Sequence, residues 1–321
     1  MILKSFTLQN FRNYTKATFS FSPHTTIIIG QNAAGKSNLL ESIFFVATGK
    51  SNRSEKEKQV IQFEKEVCRV SAETGEEKLE IVFADQGTAF LKKKYLVNGV
   101  ARRRVDFAGH LTCVLFTPMD LDLVSGQPGN RRRFLDEVLE QVDSEYRNAH
   151  MVYTKALRQR NALLEKVQET GIRNQRVFAY WDDLLIRAGQ LMSFKREEFI
   201  EFINARQKDF FPCLFTYDSS EISEERLLQY KDAEVGAGVT LVGPHRDDIK
   251  IEITQSQDRT AHDSLELLDA RYFASRGQQR LIVLEMKLAQ IAYFEQKTGK
   301  KPLLLLDDIF SELDSENIKK I

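Results

Sequence analysis

The feature that most constrains this chain is the octapeptide Gly30-Gln31-Asn32-Ala33-Ala34-Gly35-Lys36-Ser37, a complete G-x-x-x-x-G-K-[ST]. The β-branched run Thr25-Thr26-Ile27-Ile28-Ile29 stands before it, and Asn38–Phe45 follows with helical spacing. The loop is therefore expected to join a strand to a helix. Such a loop cradles phosphate, because its backbone N–H groups and the positive end of the helix converge on one point. Lys36 is placed to reach the β- and γ-phosphates of ATP, and the Ser37 hydroxyl to ligate Mg²⁺. A chance Gly-rich turn does not account for the constrained positions and the strand–helix context together.

A second half-site stands near the other end of the sequence. Leu303-Leu304-Leu305-Leu306-Asp307-Asp308 reads as a buried strand ending in two acids. Asp307 is the candidate metal ligand. Asp308 is the candidate catalytic group, orienting or deprotonating a water, a role worth about 10²–10⁴ in rate. Ser275-Arg276-Gly277-Gln278 opens a helix expected over 277–294. Ser275 and Gln278 have the spacing of a capping box. The same hydroxyl and backbone donors of Ser275, Gly277 and Gln278 suit a γ-phosphate, and their place about thirty residues before the acidic strand is that of an ABC signature. Both readings use the same physics. The expected fold class is α/β, an ABC-type P-loop ATPase head with an inserted, mainly helical arm.

The arm is legible as two helical faces, Ala149, Tyr153, Ala156, Leu163, Val167 and then Val177, Trp181, Leu184, Ala188, Leu191, with Gly171 between them. That pattern predicts an antiparallel helical hairpin. The expected boundaries are an N-terminal head over 1–120, the arm over 121–237, and a C-terminal head over 238–321, with strand structure resuming near 238. Formal net charge is zero, so nucleic acid would have to be met by a local patch or an assembled surface. One such patch is the hairpin about Asn98-Gly99, with Lys92, Lys93 and Lys94 on one arm and Arg102, Arg103 and Arg104 on the other. Two-residue register would set Lys93 opposite Arg104 and Lys94 opposite Arg103, a repulsion that an anion would relieve. Charge protection of an edge strand is an equal alternative. Arg131–Arg133 reads as a solvated face, and His245-Arg246-Asp247-Asp248 as a structural loop rather than a metal cage. Three scattered cysteines fit a reducing compartment, and the absence of a signal peptide or a membrane-length apolar run points to a cytoplasmic protein.

The ordered set Leu8-Gln9-Asn10-Phe11-Arg12-Asn13-Tyr14, the phosphate loop, Phe116–Leu121 with Arg131–Asp136, Gly243–Asp248, Phe273–Arg280 and Leu306–Asp314 resembles the bacterial RecF family. Nearly the whole chain takes part in the resemblance. It implies a DNA-repair and replication ATPase related to SMC heads, working beside RecO and RecR at gapped DNA. It also implies binding to single- and double-stranded DNA and ATP-dependent homodimerisation. In such a dimer Ser275 of one protomer meets the nucleotide held by Lys36 of the other, and Arg12 is implied to touch the nucleotide as well. Arg276 stands where the family pattern has Gln, and Met119 where it has Glu. The family also implies a further few dozen residues after Asp314. A transporter ATPase subunit, another SMC-like or ABC-type ATPase, and a P-loop kinase or scaffold are the competing readings. The first lacks its L-S-G-G-Q, and a kinase would not need the Ser275–Gln278 element.

Overall fold

The computed structural model describes residues 2–53, 57–85, 92–254 and 267–308. Contacts divide the chain into two compact units. The first comprises Met1–Met119, Glu140–Val142 and Gln290–Ile321; the second comprises Asp120–Leu139 and Asp143–Ala289.

The first unit opens with a hairpin of β1 (Leu3–Phe11) and β2 (Tyr14–Ser20), followed by α1 (Lys36–Thr48). Strands β3 (Val67–Thr74), β4 (Lys78–Ala84), β5 (Lys92–Val97) and β6 (Val100–Arg102) extend it to an antiparallel sheet of order β2-β1-β3-β4-β5-β6. Alternation governs the faces: Cys68, Val70 and Ala72 of β3 and Leu79, Ile81 and Phe83 of β4 are buried, while the residues between them are not. At the β5–β6 turn Val97 pairs with Val100, and Asn98 and Gly99 both take positive φ, 51° and 80°. A two-residue type I′ turn requires that, and Asn-Gly supplies it. Helix α2 (Arg104–Phe107) and β7 (Cys113–Phe116) follow.

Two expectations fail in this unit. Thr25–Ile29 forms no strand: none of the described strands pairs with it, and Ile27 and Ile29 are 78% and 90% exposed. β-branched composition favours extended backbone, but without a neighbour there is no ladder. The facing of Lys93 with Arg104 and Lys94 with Arg103 is likewise not formed, because β6 ends at Arg102. The chain turns there into α2, which buries Val105 and Phe107. Arg103 then pairs with Asp106 at 2.7 Å and Arg104 with Glu140 at 3.0 Å.

The second unit contains α3 (Asp122–Ser125), most of α4 (Pro128–Val142), α5 (Ser144–Thr170) and α6 (Gln175–Ala205). Helices α5 and α6 form the predicted hairpin. Asp143 caps α5, left-handed Gly171 ends it, and Asn174 caps α6 by accepting from Val177 N–H. The buried stripe of α6 is Phe178, Leu185, Met192 and Phe199, rotated from the expected one; Trp181, Leu184 and Leu191 are half-buried and Val177 is exposed. After β8 (Cys213–Asp218) come α7 (Glu224–Gln229), α8 (Lys231–Ala237), β9 (Asp248–Thr254), β10 (Leu267–Asp269) and α9 (Ala270–Phe273). The strands make an antiparallel sheet, β10-β9-β8. No strand begins near 238: between α8 and Asp248 the only regular piece among the described residues is a 3-10 turn at Pro244–Arg246. The return to the first unit therefore falls within α10 (Arg276–Thr298) rather than at 238, and β11 (Leu303–Leu306) completes the described chain.

Three fully buried arginines organise the irregular segment Thr240–Asp248. Arg160 donates to Asp182, Glu234 and the Thr240 hydroxyl at 2.6–2.9 Å. Arg196 donates to Asp136, Asp247, the Pro244 carbonyl and the Tyr146 hydroxyl. Arg131 forks onto both oxygens of Asp248, at 2.6 and 2.9 Å. The solvated face expected for Arg131–Arg133 is therefore not formed: Arg131 is buried, and only Arg133 of the three is exposed. A guanidinium leaves water here because each of its nitrogens meets at least one acceptor. Burial pushes the Asp136 carboxyl up, and Arg196, His150 and the Tyr146 hydroxyl more than reverse it, leaving it below the ordinary range. His245 is a structural residue: its ring meets the Tyr153 hydroxyl at 2.7 Å and the Thr240 carbonyl at 3.0 Å. Burial lowers its pKa to about 4.

Removing Arg196 while leaving Asp136 and Asp247 buried is expected to cost about 3–5 kcal/mol. Urea unfolding of Arg196→Met measures this, with Arg133→Met expected within about 0.5 kcal/mol of the parent. His245 is neutral in the folded chain and protonates more readily when unfolded. Its contribution is therefore complete above about pH 6.5 and is lost as pH falls toward 4, a difference of about 3 kcal/mol. Stability profiles of parent and His245→Gln should diverge above pH 4 and be parallel above pH 7.

Candidate nucleotide site

Helix α1 carries the phosphate-loop lysine and serine at its first two positions. Its residues Leu39, Ile43, Phe44, Phe45, Val46 and Ala47 are all buried, so the helix has apolar contact nearly all round. It packs against β3 and β4 of the antiparallel sheet and against β7 and β11. Strand β11 lies parallel to β7, with Leu303 beside Cys113 and Leu306 beside Phe116, and Asp307 N–H continues the ladder to the Phe116 carbonyl at 3.0 Å. This pairing delivers the two acids to the phosphate loop. The Ser37 hydroxyl donates to Asp307 Oδ1 at 3.0 Å, across 270 positions of sequence.

Within the loop, the Lys36 amine donates to the carbonyls of Gly30 and Gln31 at 2.8 and 2.9 Å. Gly35, at φ 105°, is the N-cap of α1. Only glycine fits there, because a Cβ would lie 2.7 Å from Asn13 Nδ2 and 2.8 Å from the Tyr14 hydroxyl. Asn13 and Tyr14 belong to the Leu8–Tyr14 stretch that carries the family resemblance, but no role was expected of them there; the structure sets both against the loop. Arg12 itself grips the buried Glu41 with two hydrogen bonds, 3.1 and 2.7 Å, and the Gln59 carbonyl at 2.8 Å. Its expected contact with nucleotide thus coexists with a structural role on α1. Asp308 follows Asp307 with a left-handed φ of 54°, an uncommon conformation for a non-glycine residue.

The signature element lies in the second unit. Ser275 N–H donates to Gln278 Oε1 at 2.8 Å, and Gln278 N–H returns a bond to the Ser275 hydroxyl at 3.3 Å. The capping box is therefore real. Ser275, Arg276 and Gly277 are nevertheless exposed, so the cap is presented outward. Ser311, Glu312, Leu313 and Asp314 lie outside the described residues. Of the basic hairpin, Lys92, Lys94, Arg102 and Arg103 are exposed. The Lys93 amine sits over the rings of Phe45 and Phe83, 5.9 and 5.7 Å from their centroids. Burial pushes the thiols of Cys68 and Cys213 up to about 12, which disfavours the thiolate at neutral pH. Among the described residues no helix is long and apolar enough to cross a membrane.

Comparison with known proteins agrees with this geometry. The family described as the RecF/RecN/SMC N terminal domain matches residues 2–321. The DNA replication and repair protein RecF of Shouchella clausii is 36% identical over 98% of this chain and 87% of its own length. The RecF protein of Gloeobacter violaceus is 36% identical over 98% of this chain and 86% of its own. A solved structure of the recombination mediator protein RecF-ATPrS in the RecFOR pathway superposes with a TM-score of 0.84 at 30% identity, covering 98% of this chain and 87% of that one. With its phosphate loop, its acidic strand and its signature helix all in family order, the chain belongs to the RecF family of DNA replication and repair proteins, within the SMC-related ABC-type ATPases.

Proposed function

We propose that the Gly30–Ser37 loop binds ATP with Mg²⁺, that two copies close on two nucleotides, and that the closed dimer holds DNA. The observation that carries this reading is the Ser37–Asp307 hydrogen bond, 3.0 Å long, beside the loop that holds Lys36. A hydroxyl and a carboxylate oxygen this close form the hard-oxygen pair that Mg²⁺ takes from a protein while phosphates and water supply the rest. Ser37 and Asp307 would hold the ion, which when bound neutralises charge between the β- and γ-phosphates. Lys36 exchanges its loop carbonyls for phosphate oxygens. Asp308, next along the chain, orients or deprotonates the attacking water. Solved relatives described as RecF-ATP and RecF-ATPrS support ATP as the nucleotide.

One copy supplies the loop and the acids, and the exposed Ser275 and Gly277 of a second copy, with the half-buried Gln278, meet the γ-phosphate. Binding, more than slow turnover, then controls association with single- and double-stranded DNA at gaps. DNA contact falls to Lys92, Lys94, Arg102 and Arg103, whose charges are exposed; Arg104 is committed to Glu140 and Lys93 to its aromatic neighbours. RecO and RecR are the partners that family membership supports, and a cytoplasmic location suits all of these roles.

Gel filtration with and without ATP tests the sandwich. The parent chain should shift to dimer with ATP, and Lys36→Ala and Ser275→Arg should stay monomeric. A parent that stays monomeric at saturating ATP would defeat the model. Asp308→Asn should bind ATP as the parent does and hydrolyse it about 10²-fold or more slowly. Equal turnover of mutant and parent in a phosphate-release assay would remove Asp308 from the reaction.

A further inference from the structure

We infer that Asn13 and Tyr14 are positioning residues that set the direction of two peptide planes in the phosphate loop, and that Arg53 enforces this through a one-way chain of side-chain amides. The inference rests on the reading of the loop as a nucleotide site. A trans peptide is planar, so its C=O and N–H point in opposite directions. Asn13 Nδ2 donates to the Ala34 carbonyl at 3.3 Å, which turns the Gly35 N–H away from Asn13. The Tyr14 hydroxyl donates to the Gly35 carbonyl at 3.1 Å, which does the same for the Lys36 N–H. These N–H groups are the donors an anion needs from such a loop, and a flipped plane would offer it a carbonyl oxygen instead. The Gly35 carbonyl also accepts from Leu39 N–H at 2.9 Å, so the helix helps to hold that plane. Asn13 is the side chain that holds the Ala34 carbonyl, and the larger effect is expected from it.

The direction of the amide chain follows from its two ends. Arg53 Nη1 donates to Asn38 Oδ1 at 3.2 Å, Asn38 Nδ2 to Asn13 Oδ1 at 2.9 Å, and Asn13 Nδ2 to the Ala34 carbonyl. A guanidinium can only donate and a carbonyl can only accept, so neither amide between them can turn over without losing a bond. The turn that carries Asn13 is itself fixed. Arg12, left-handed at φ 50°, anchors it to Glu41 on α1 and to the Gln59 carbonyl. The contact is tight enough that no side chain fits at Gly35. Motif reading assigned Arg12 alone in this stretch to the nucleotide; the geometry gives its two neighbours the contact with the loop.

Titration calorimetry with ATP and with ADP, on the full chain, tests the inference. Asn13→Asp keeps the acceptor for Asn38 and removes the donor to Ala34; it should weaken both nucleotides about tenfold. Tyr14→Phe and Arg53→Met should each weaken them about three- to fivefold. Nucleotide-free melting of all three should stay within about 2 °C of the parent, which separates positioning from loss of fold. Because Arg53 acts through Asn13, Arg53→Met added to Asn13→Asp should cost no more than Asn13→Asp alone. Parental affinity in both Asn13→Asp and Tyr14→Phe overturns the positioning roles, and fully additive losses overturn the chain from Arg53. If the parent itself binds no nucleotide, and so matches Lys36→Ala, the fault lies in the nucleotide reading beneath the inference.

Discussion

A hydroxyl and a carboxylate 3.0 Å apart, Ser37 and Asp307, depend on the longest-range pairing in the first unit. That bond exists because β11 lies parallel to β7, and a parallel pair cannot be made by a hairpin. Something must carry the chain from the end of one strand back to the start of the next, and here the second unit fills that interval. Loop-closure entropy rises only slowly with length, so an insertion of this size costs little more than a short one. It also leaves the candidate site in two pieces of sequence, Gly30–Ser37 and Asp307–Asp308, which meet through the Ser37–Asp307 bond and the packing of α1. Helix α1 ties them together: its first turn supplies Lys36 and Ser37, and its body packs on β7 and β11.

The second unit solves a different problem. Thr240–Asp248 is irregular backbone in a buried setting, where unpaired carbonyls and amides are costly. Arginine answers that need better than a shorter side chain could, because one planar group serves several acceptors at fixed angles. Arg196 alone joins α4, through Asp136, to Asp247 and the Pro244 carbonyl. Tyr217 and Ser220 add their own bonds to Asp247, so the carboxylate is filled from several sides. The Gly-Pro-His-Arg-Asp-Asp run thus owes its composition to loop-building; its two acids are consumed by arginines, and its histidine is kept neutral by burial.

Legibility followed periodicity and local chemistry. The phosphate loop, the α5–α6 hairpin, the Asn-Gly turn and the strand before Asp307 could be read because each is specified by neighbours in sequence. What escaped was set by partners far away. Thr25–Ile29 has strand composition, but composition cannot provide a neighbouring strand. Arg131 looked solvated because Asp248, which draws it inward, stands 117 positions later. The basic arms of the β5–β6 hairpin were extrapolated past Arg102, but the chain turns into α2 at Arg104 and buries Val105 and Phe107, whose i, i+2 spacing reads as strand. Asn13 and Tyr14 stand in the Leu8–Tyr14 stretch, but the stretch does not say what they touch; that appears only when the β1–β2 turn is laid against the Ala34 and Gly35 carbonyls.

The same accounting explains what holds the backbone of the Gly30–Ser37 loop. A lysine aimed at empty space among backbone dipoles would be held poorly, and loop carbonyls without donors would be free to turn. Here Lys36 spans the Gly30 and Gln31 carbonyls, Asn13 takes the Ala34 carbonyl, and Tyr14 with Leu39 N–H takes that of Gly35. Only Lys36 among these donors belongs to the nucleotide's expected partners. On the proposed reading of the loop, phosphate would displace the two Lys36 bonds and leave the others in place. An exchange of that kind needs little reordering of backbone, which is how preorganisation turns a flexible Gly-containing sequence into a binding site.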